Sequence, residues 1–465
     1  MDRPLPARAL ARLLPLLCAL VVACTTAPPE GSPTPTPTQE STPTSAASPT
    51  AQPTLSLGPT PTLLPTPTAA PTATPSSTPT LAPTPSPTPA AGLTPQVRAE
   101  LDATLVQQLA RYGIPGMSAV VIMPDGERWE GAAGDAATSP ARPADVGTPF
   151  VIGSITKTFV AALTMQLAEE GVLNLDAPLA EWLPDFPRAR RITLRHLLAH
   201  TSGVFNHFEH SSYNRLVFGT DEHEWTPQEI LDTFVIGAGS YCAPGTCYHY
   251  SNTGYVLLGI VIEKATGNSL GEEFMARFFE PLGLDDTYFQ GDHELPADAA
   301  EGHLRRVNGT VRQVSDGSDL RPTTSAATVA WAAGAMVSSA PGIADWARAL
   351  YAGELLSAES MAQMTDFAGN PYSGTSYGLG TRTRLVDGWR MVGHTGSLRG
   401  FTAAMWHVRD AGITVVVLDN LGRIDPNRIA DEFARIGLRA AGSSSLSLPT
   451  PAPLPSPTAT ASATP

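Results

Sequence analysis

Ser154 and Lys157 stand three residues apart in Phe150-Val-Ile-Gly-Ser-Ile-Thr-Lys157, a stretch that otherwise reads as a helix start. Residues i and i+3 share a helix face, so the two side chains can meet. A serine hydroxyl is a weak nucleophile until a base removes its proton. Lysine can be that base only when neutral, so its pKa must fall from about 10.4. Desolvation and a helix N-terminus both push it down. The same siting is poor for stability, because Glu or Gln is preferred three residues after a capping serine. Arginine could not serve, since it stays protonated. Of the 29 basic residues only Lys157 and Lys264 are lysines, which sharpens an otherwise weak motif. Taken alone, the pair fits equally a capping serine beside a solvated lysine.

Two further constellations follow along the chain. In Tyr250-Ser251-Asn252 the first and third residues of an extended segment point the same way, so both can enter one cleft. A Tyr250 phenolate beside Lys157 would be a general base and later an acid to the leaving group. The Asn252 amide would bind a substrate carbonyl. The plainer alternative is a packed tyrosine and a helix-capping asparagine. In Gly393-His394-Thr395-Gly396-Ser397, after a strand Trp389 to Val392, the glycines suggest close approach by a second backbone or a ligand. The Ser397 and Ser154 amides would then form an oxyanion hole. The plainer alternative is a glycine-rich loop.

Ser-x-x-Lys, Tyr-x-Asn and His-Thr-Gly, in this order, resemble the serine beta-lactamase and D-alanyl-D-alanine carboxypeptidase family, in its class C branch. The likeness extends to Ile192-Thr-Leu-Arg-His-Leu-Leu-Ala-His-Thr-Ser-Gly203 and Tyr377-Gly-Leu-Gly380 and covers nearly all of 95–440. It implies Ser154 as acylated nucleophile and Lys157 and Tyr250 as proton handlers. It implies Asn252, His394, Thr395, Gly396 and Ser397 as the substrate-binding wall. The fold implied is α/β (α+β), beta-lactamase/transpeptidase-like. The activity implied is carboxypeptidase- or esterase-like, with a lactamase or a non-catalytic wall-binding homologue as alternatives. Lactamases of this branch usually carry Lys where His394 stands, so the cation for a substrate carboxylate becomes dependent on pH. Arg399 is a candidate replacement. No cofactor or metal is expected, and the partners expected are a small-molecule, peptide or ester substrate, or cell-wall peptide.

Other motifs compete less well. Gly374-Thr-Ser376-Tyr-Gly378 fits the nucleophile elbow of alpha/beta-hydrolases, but no buried strand precedes it. His207-Phe-Glu-His210 and Asp221-Glu-His-Glu224 lack metal-site spacing and read as a mobile polar loop. Lys264 reads as solvated surface. Cys242 and Cys247 bracket a short loop before Tyr250, suited to a disulfide in an oxidising compartment.

The elements that must position these residues are legible in outline. A helix begins at Thr94-Pro95 and stops at Gly113. Strands are expected at Met117 to Met123, Arg128 to Glu130, Thr381 to Val386, Trp389 to Val392 and Ile413 to Leu418, with a last helix at Asn427 to Ala441. Both ends of the domain thus supply a helix and antiparallel strands. This predicts an antiparallel sheet flanked by terminal helices, with an inserted mainly helical lobe at about 180–330.

Of 465 residues, the first 23 carry Arg3, Arg8 and Arg12 before a short apolar run, the layout of a secretory signal. Val21-Val22-Ala23-Cys24 resembles a bacterial lipobox, with Cys24 lipidated and the protein held at the extracytoplasmic membrane face by its lipid anchor. Residues 24–94 and 442–465 are rich in Pro, Thr, Ser and Ala and are expected to be a disordered tether and tail around a domain at 95–441. A net charge of −14 argues against nucleic acid as a partner.

Overall fold

The computed structural model describes residues 92–219, 222–314, 324–368 and 377–442. Cys24, the flanking Pro/Thr-rich segments and Ser376 lie outside the described residues. The elements that frame the site are, in chain order, α1 (Pro95–Tyr112), β1 (Gly116–Ile122), β2 (Arg128–Thr138), β3 (Ala141–Pro143), α2 (Thr156–Glu169), α3 (Leu194–Leu198), α4 (Asn252–Thr266), α5 (Ala340–Tyr351), β4 (Arg382–Val386), β5 (Trp389–Leu398), β6 (Phe401–Val408), β7 (Ile413–Asp419) and α6 (Pro426–Ala440). The strands make one antiparallel sheet of seven, in the order β3-β2-β1-β7-β6-β5-β4.

Alternation along the strands divides the core in two. Met117, Ala119 and Val121 of β1 join Val415 and Val417 of β7 in a cluster with Leu101 and Leu105 of α1 and Ile429 and Phe433 of α6. Val120, Val416 and Leu418 belong to the opposite cluster, with Ala344 of α5 and Phe159 of α2. Because both faces are covered, β1 and β7 are buried throughout and read as continuous apolar runs. Thr94 caps α1 with Pro95 at its first position, and Gly113 closes it at φ 58°. The helical insert lies between β3 and β4. No helix among the described residues is long and apolar enough to cross a membrane.

Several differences from the sequence reading concern the sheet, among them β3, which was not anticipated, and β2, which runs past the expected Glu130 to Thr138. β6 was not anticipated: Phe-Thr-Ala-Ala-Met-Trp-His-Val is buried along its whole length, so no polar face marks its period. β5 also runs on through Gly393 and Gly396 to Leu398. The glycines there permit close approach without ending the strand.

Asp419 ends β7, fully buried, accepting from Thr402 Oγ1 at 2.7 Å and from Leu421 N at 3.0 Å. Burial pushes its carboxyl up to about 7 from a usual 3.8. The folded state therefore holds a proton that the unfolded chain releases. That stabilisation is complete below about pH 4 and is lost as pH rises through about 7. Thermal melting should accordingly show a drop in Tm between about pH 4 and about pH 7 that Asp419→Asn flattens. An identical pH dependence in the two proteins would contradict this.

Candidate active site

Ser154 is half-buried in a tight turn, Gly153–Ile155, that leads directly into α2. Its amide belongs to the first turn of a helix, where backbone donors lack intrahelical acceptors. Gly153 takes φ 51°, and a Cβ there would sit 2.7 Å from the Ser397 nitrogen. A Cβ on Gly396 would run into the Ile152 carbonyl oxygen. Both glycines are thus required for β5 to lie against the Ser154 turn, and they bring the Ser154 and Ser397 amides to one place. Thr395 and Ser397 share a face of β5, Thr395 half-buried and Ser397 exposed.

Lys157 is wholly buried, whereas Lys264 is exposed. Its Nζ lies 2.5 Å from the Ala333 carbonyl, 2.8 Å from Asn252 Oδ1 and 3.2 Å from Ser154 Oγ. Burial first, and the charge of Arg382 second, hold the amine well below its usual 10.5. A neutral amine has two hydrogens and one lone pair. The two short contacts take the hydrogens, and the lone pair is left for the Ser154 hydroxyl.

Tyr250 lies beside Ser154, and its ring centroid lies 5.1 Å from Lys157 Nζ. Burial pushes its phenol up to about 12, against the opposing pull of Arg382 and Ser154. Tyr250 is therefore a neutral phenol at ordinary pH, which corrects the expectation of a phenolate base. The segment before it is stapled by a Cys242–Cys247 disulfide. The staple is docked from outside: Gly245 N donates to Thr201 O at 2.8 Å, and Arg188 Nη1 to Cys242 O at 2.8 Å.

Asn252 is the first residue of α4 and is buried. Its Oδ1 accepts from Lys157, and its Nδ2 donates to Asn206 Oδ1 at 3.2 Å. It is thus tied first to the lysine, with one amide hydrogen left over among the described residues. Asn206, overlooked in the sequence, also accepts from Asn252 N at 3.1 Å. His207 is not part of a mobile polar loop. It is fully buried, with Nδ1 3.0 Å from Thr253 Oγ1 and Nε2 3.1 Å from Val329 O. Desolvation lowers it to about 3, so it is a neutral core histidine. Among the described residues no cluster of His, Cys, Asp and Glu could hold a metal ion.

His394, within β5, is buried, and its ring centroid lies 6.4 Å from that of Tyr250. Its Nδ1 donates to Thr395 O at 2.6 Å, and its Nε2 accepts from Tyr377 Oη at 3.1 Å. Burial, followed by the charges of Arg382 and Lys157, holds it well below 6.5. The cation in this region is Arg382, which sequence reasoning missed. It pairs with Gly393 across β4 and β5 and packs 5.3 Å from the Tyr250 ring and 5.6 Å from that of Tyr377. Among the described residues its buried Nε has no hydrogen-bond partner. Arg399, the replacement suggested by sequence, instead lies 4.6 Å over the ring of Phe218.

A base, a phenol and two backbone amides around one serine are the parts of an acyl-transfer site. The family model described as Beta-lactamase matches residues 101–438. The chain belongs to the Beta-lactamase family. Penicillin-binding protein 4 of Amycolatopsis lactamdurans is 28% identical over 328 residues, which are 67% of this chain and 82% of that protein. Esterase EstB of Burkholderia gladioli is 35% identical over 202 residues, 41% of this chain and 51% of the esterase. D-amino acid amidase from Ochrobactrum anthropi SV3 has a similar structure, with a TM-score of 0.64 and 28% identity over 75% of this chain and 99% of the amidase. Aligned stretches span as little as 32% of another curated relative's length. Within this family the chain is a serine hydrolase with a beta-lactamase/transpeptidase-like α/β fold.

Proposed function

We propose that the chain hydrolyses small peptide or ester substrates through an acyl-Ser154 intermediate, in the manner of a D-Ala-D-Ala carboxypeptidase or an esterase. Neutral Lys157 takes the Ser154 proton as Oγ bonds to the substrate carbonyl carbon. The oxyanion so formed lies between the Ser154 and Ser397 amides, each such donor being worth about 10²–10³ in rate. Tyr250 gives its proton to the leaving nitrogen or oxygen as the scissile bond breaks, and is reprotonated by the Lys157 ammonium. Water then enters by the reverse route and releases the acid, restoring the Ser154 hydroxyl.

One observation carries the choice of substrate. His394 is buried and held well below its usual pKa, while Arg382 beside Tyr250 carries a charge and, among the described residues, a buried Nε without a partner. That supports a substrate with a carboxylate near the scissile bond. Arg382→Ala should lower kcat/KM on a D-Ala-D-Ala peptide by about 10–100-fold, the worth of hydrogen bonds to a charged group. The loss on a short p-nitrophenyl ester should be at least about tenfold smaller. Equal losses on both would remove the carboxylate from the proposal. In the same panel rapid nitrocefin turnover would favour a true lactamase. The lipobox-like Val21-Val22-Ala23-Cys24 and the Pro/Thr-rich segment after it support an exported enzyme, anchored through Cys24 at the extracytoplasmic face.

A further inference from the structure

We propose that His200 is the positioning residue that fixes Tyr250 over Ser154 and Lys157, holding its backbone on both sides and its ring from beneath. The inference rests on the role given to Tyr250 above.

His200 follows α3 and adopts φ 57°, a left-handed conformation uncommon for a residue with a Cβ. This turn carries the side chain inward, leaving 1% exposed. The residue then grips the segment around Tyr250 at two amides. Its carbonyl accepts from His249 N at 2.9 Å, and its Nδ1 accepts from Ser251 N at 3.2 Å. Between these two bonds the imidazole packs on the Tyr250 ring, with centroids 4.1 Å apart at 40°. Tyr255 and Tyr377 close round the same imidazole at 5.3 and 4.6 Å.

Packing alone would not select histidine here. Because Nδ1 accepts, the ring proton of the neutral form sits on Nε2. Among the described residues that buried Nε2 has no hydrogen-bond partner. An apolar side chain would fill the space without stranding a donor, which is the costly arrangement. What histidine adds is the acceptor to Ser251, and Ser251 is the extended residue whose φ −132° and ψ 115° set the angle between Tyr250 and Asn252. Burial first, and any positive charge on Lys157, His394 or Arg382 after it, hold the ring well below 6.5, so the acceptor persists.

The test is a double-mutant cycle on the full chain. His200→Leu should fold, as read by thermal melting, and lose about 10²-fold in kcat on a p-nitrophenyl ester, with KM changed by less than about threefold. His200→Asn, whose Oδ1 can replace Nδ1 as acceptor and whose backbone tolerates positive φ, should stay within about tenfold of wild type. In a Tyr250→Phe background the His200→Leu loss should vanish, since two residues acting as one unit are not additive. Additive losses, or a folded His200→Leu with unchanged kcat, would overturn the proposal. Should His200→Leu fail to fold, His200→Asn decides alone: a loss as large as that of Tyr250→Phe overturns it, and near-normal kcat supports it. If Tyr250→Phe itself has no effect, the reading of Tyr250 fails and the positioning role fails with it.

Discussion

Ser154→Ala is expected to abolish both labelling by a fluorophosphonate probe and turnover of every ester, peptide or lactam tested. The loss in kcat should reach at least about 10³-fold, because removing a nucleophile leaves only binding and oxyanion stabilisation. The variant should fold normally. Ser154 is half-buried, and its hydroxyl meets Lys157 at 3.2 Å and Tyr250 without entering either core cluster. Intact-mass measurement after incubation with probe is the direct check. Full activity in the alanine variant would exclude Ser154 and return attention to Ser376, which lies outside the described residues.

Lys157→Arg is expected to be almost as damaging, at least about 10³-fold in acylation rate, although it keeps the charge type. Arginine offers donors but no lone pair, so it cannot take the Ser154 proton. The cage is also too small for it: Nζ is held between Ala333 O at 2.5 Å and Asn252 Oδ1 at 2.8 Å. The wild-type pH profile carries a companion signature. The active form is the neutral amine, so kcat/KM rises with pH through the folded pKa of Lys157. That midpoint lies well below 10.5, because burial and Arg382 hold it down. Removing the Arg382 charge should move the midpoint upward. A downward or absent movement would show that another group governs the limb.

Sequence reasoning found the Ser154–Lys157 pair because its geometry is local: three residues on one helix turn fix the contact wherever the helix lies. Strands β1, β2, β4, β5 and β7 and the terminal helices were equally legible at their starts, since proline, glycine and turn residues mark them. Arg382 was not, because its place depends on the register that sets it opposite Gly393, and register is a property of two strands. His207 was misread for a related reason. Its polar neighbours suggest solvent, while the partners that satisfy it, Thr253 and Val329, lie 46 and 122 positions away. His394 shows the opposite error: its motif was recognised, but the orientation of its ring was not, since Tyr377 and Thr395 decide it.

The central seam of the sheet joins the two ends of the domain. β1 pairs with β7, and Gly116 N donates to Asn420 Oδ1 across 304 positions of chain. Closing so long a loop is slow, because its entropy is spent before any pairing compensates it. During synthesis β1 waits with an apolar edge unpaired, the condition that invites pairing with other chains. The Ser154 turn after Gly153 emerges early, yet β5, the strand that packs against it, belongs to the last quarter of the chain. If Ser154 is the nucleophile proposed above, a nascent or prematurely ended chain carries it without the means to use it, and hydrolytic competence arrives only when the final strands close the seam.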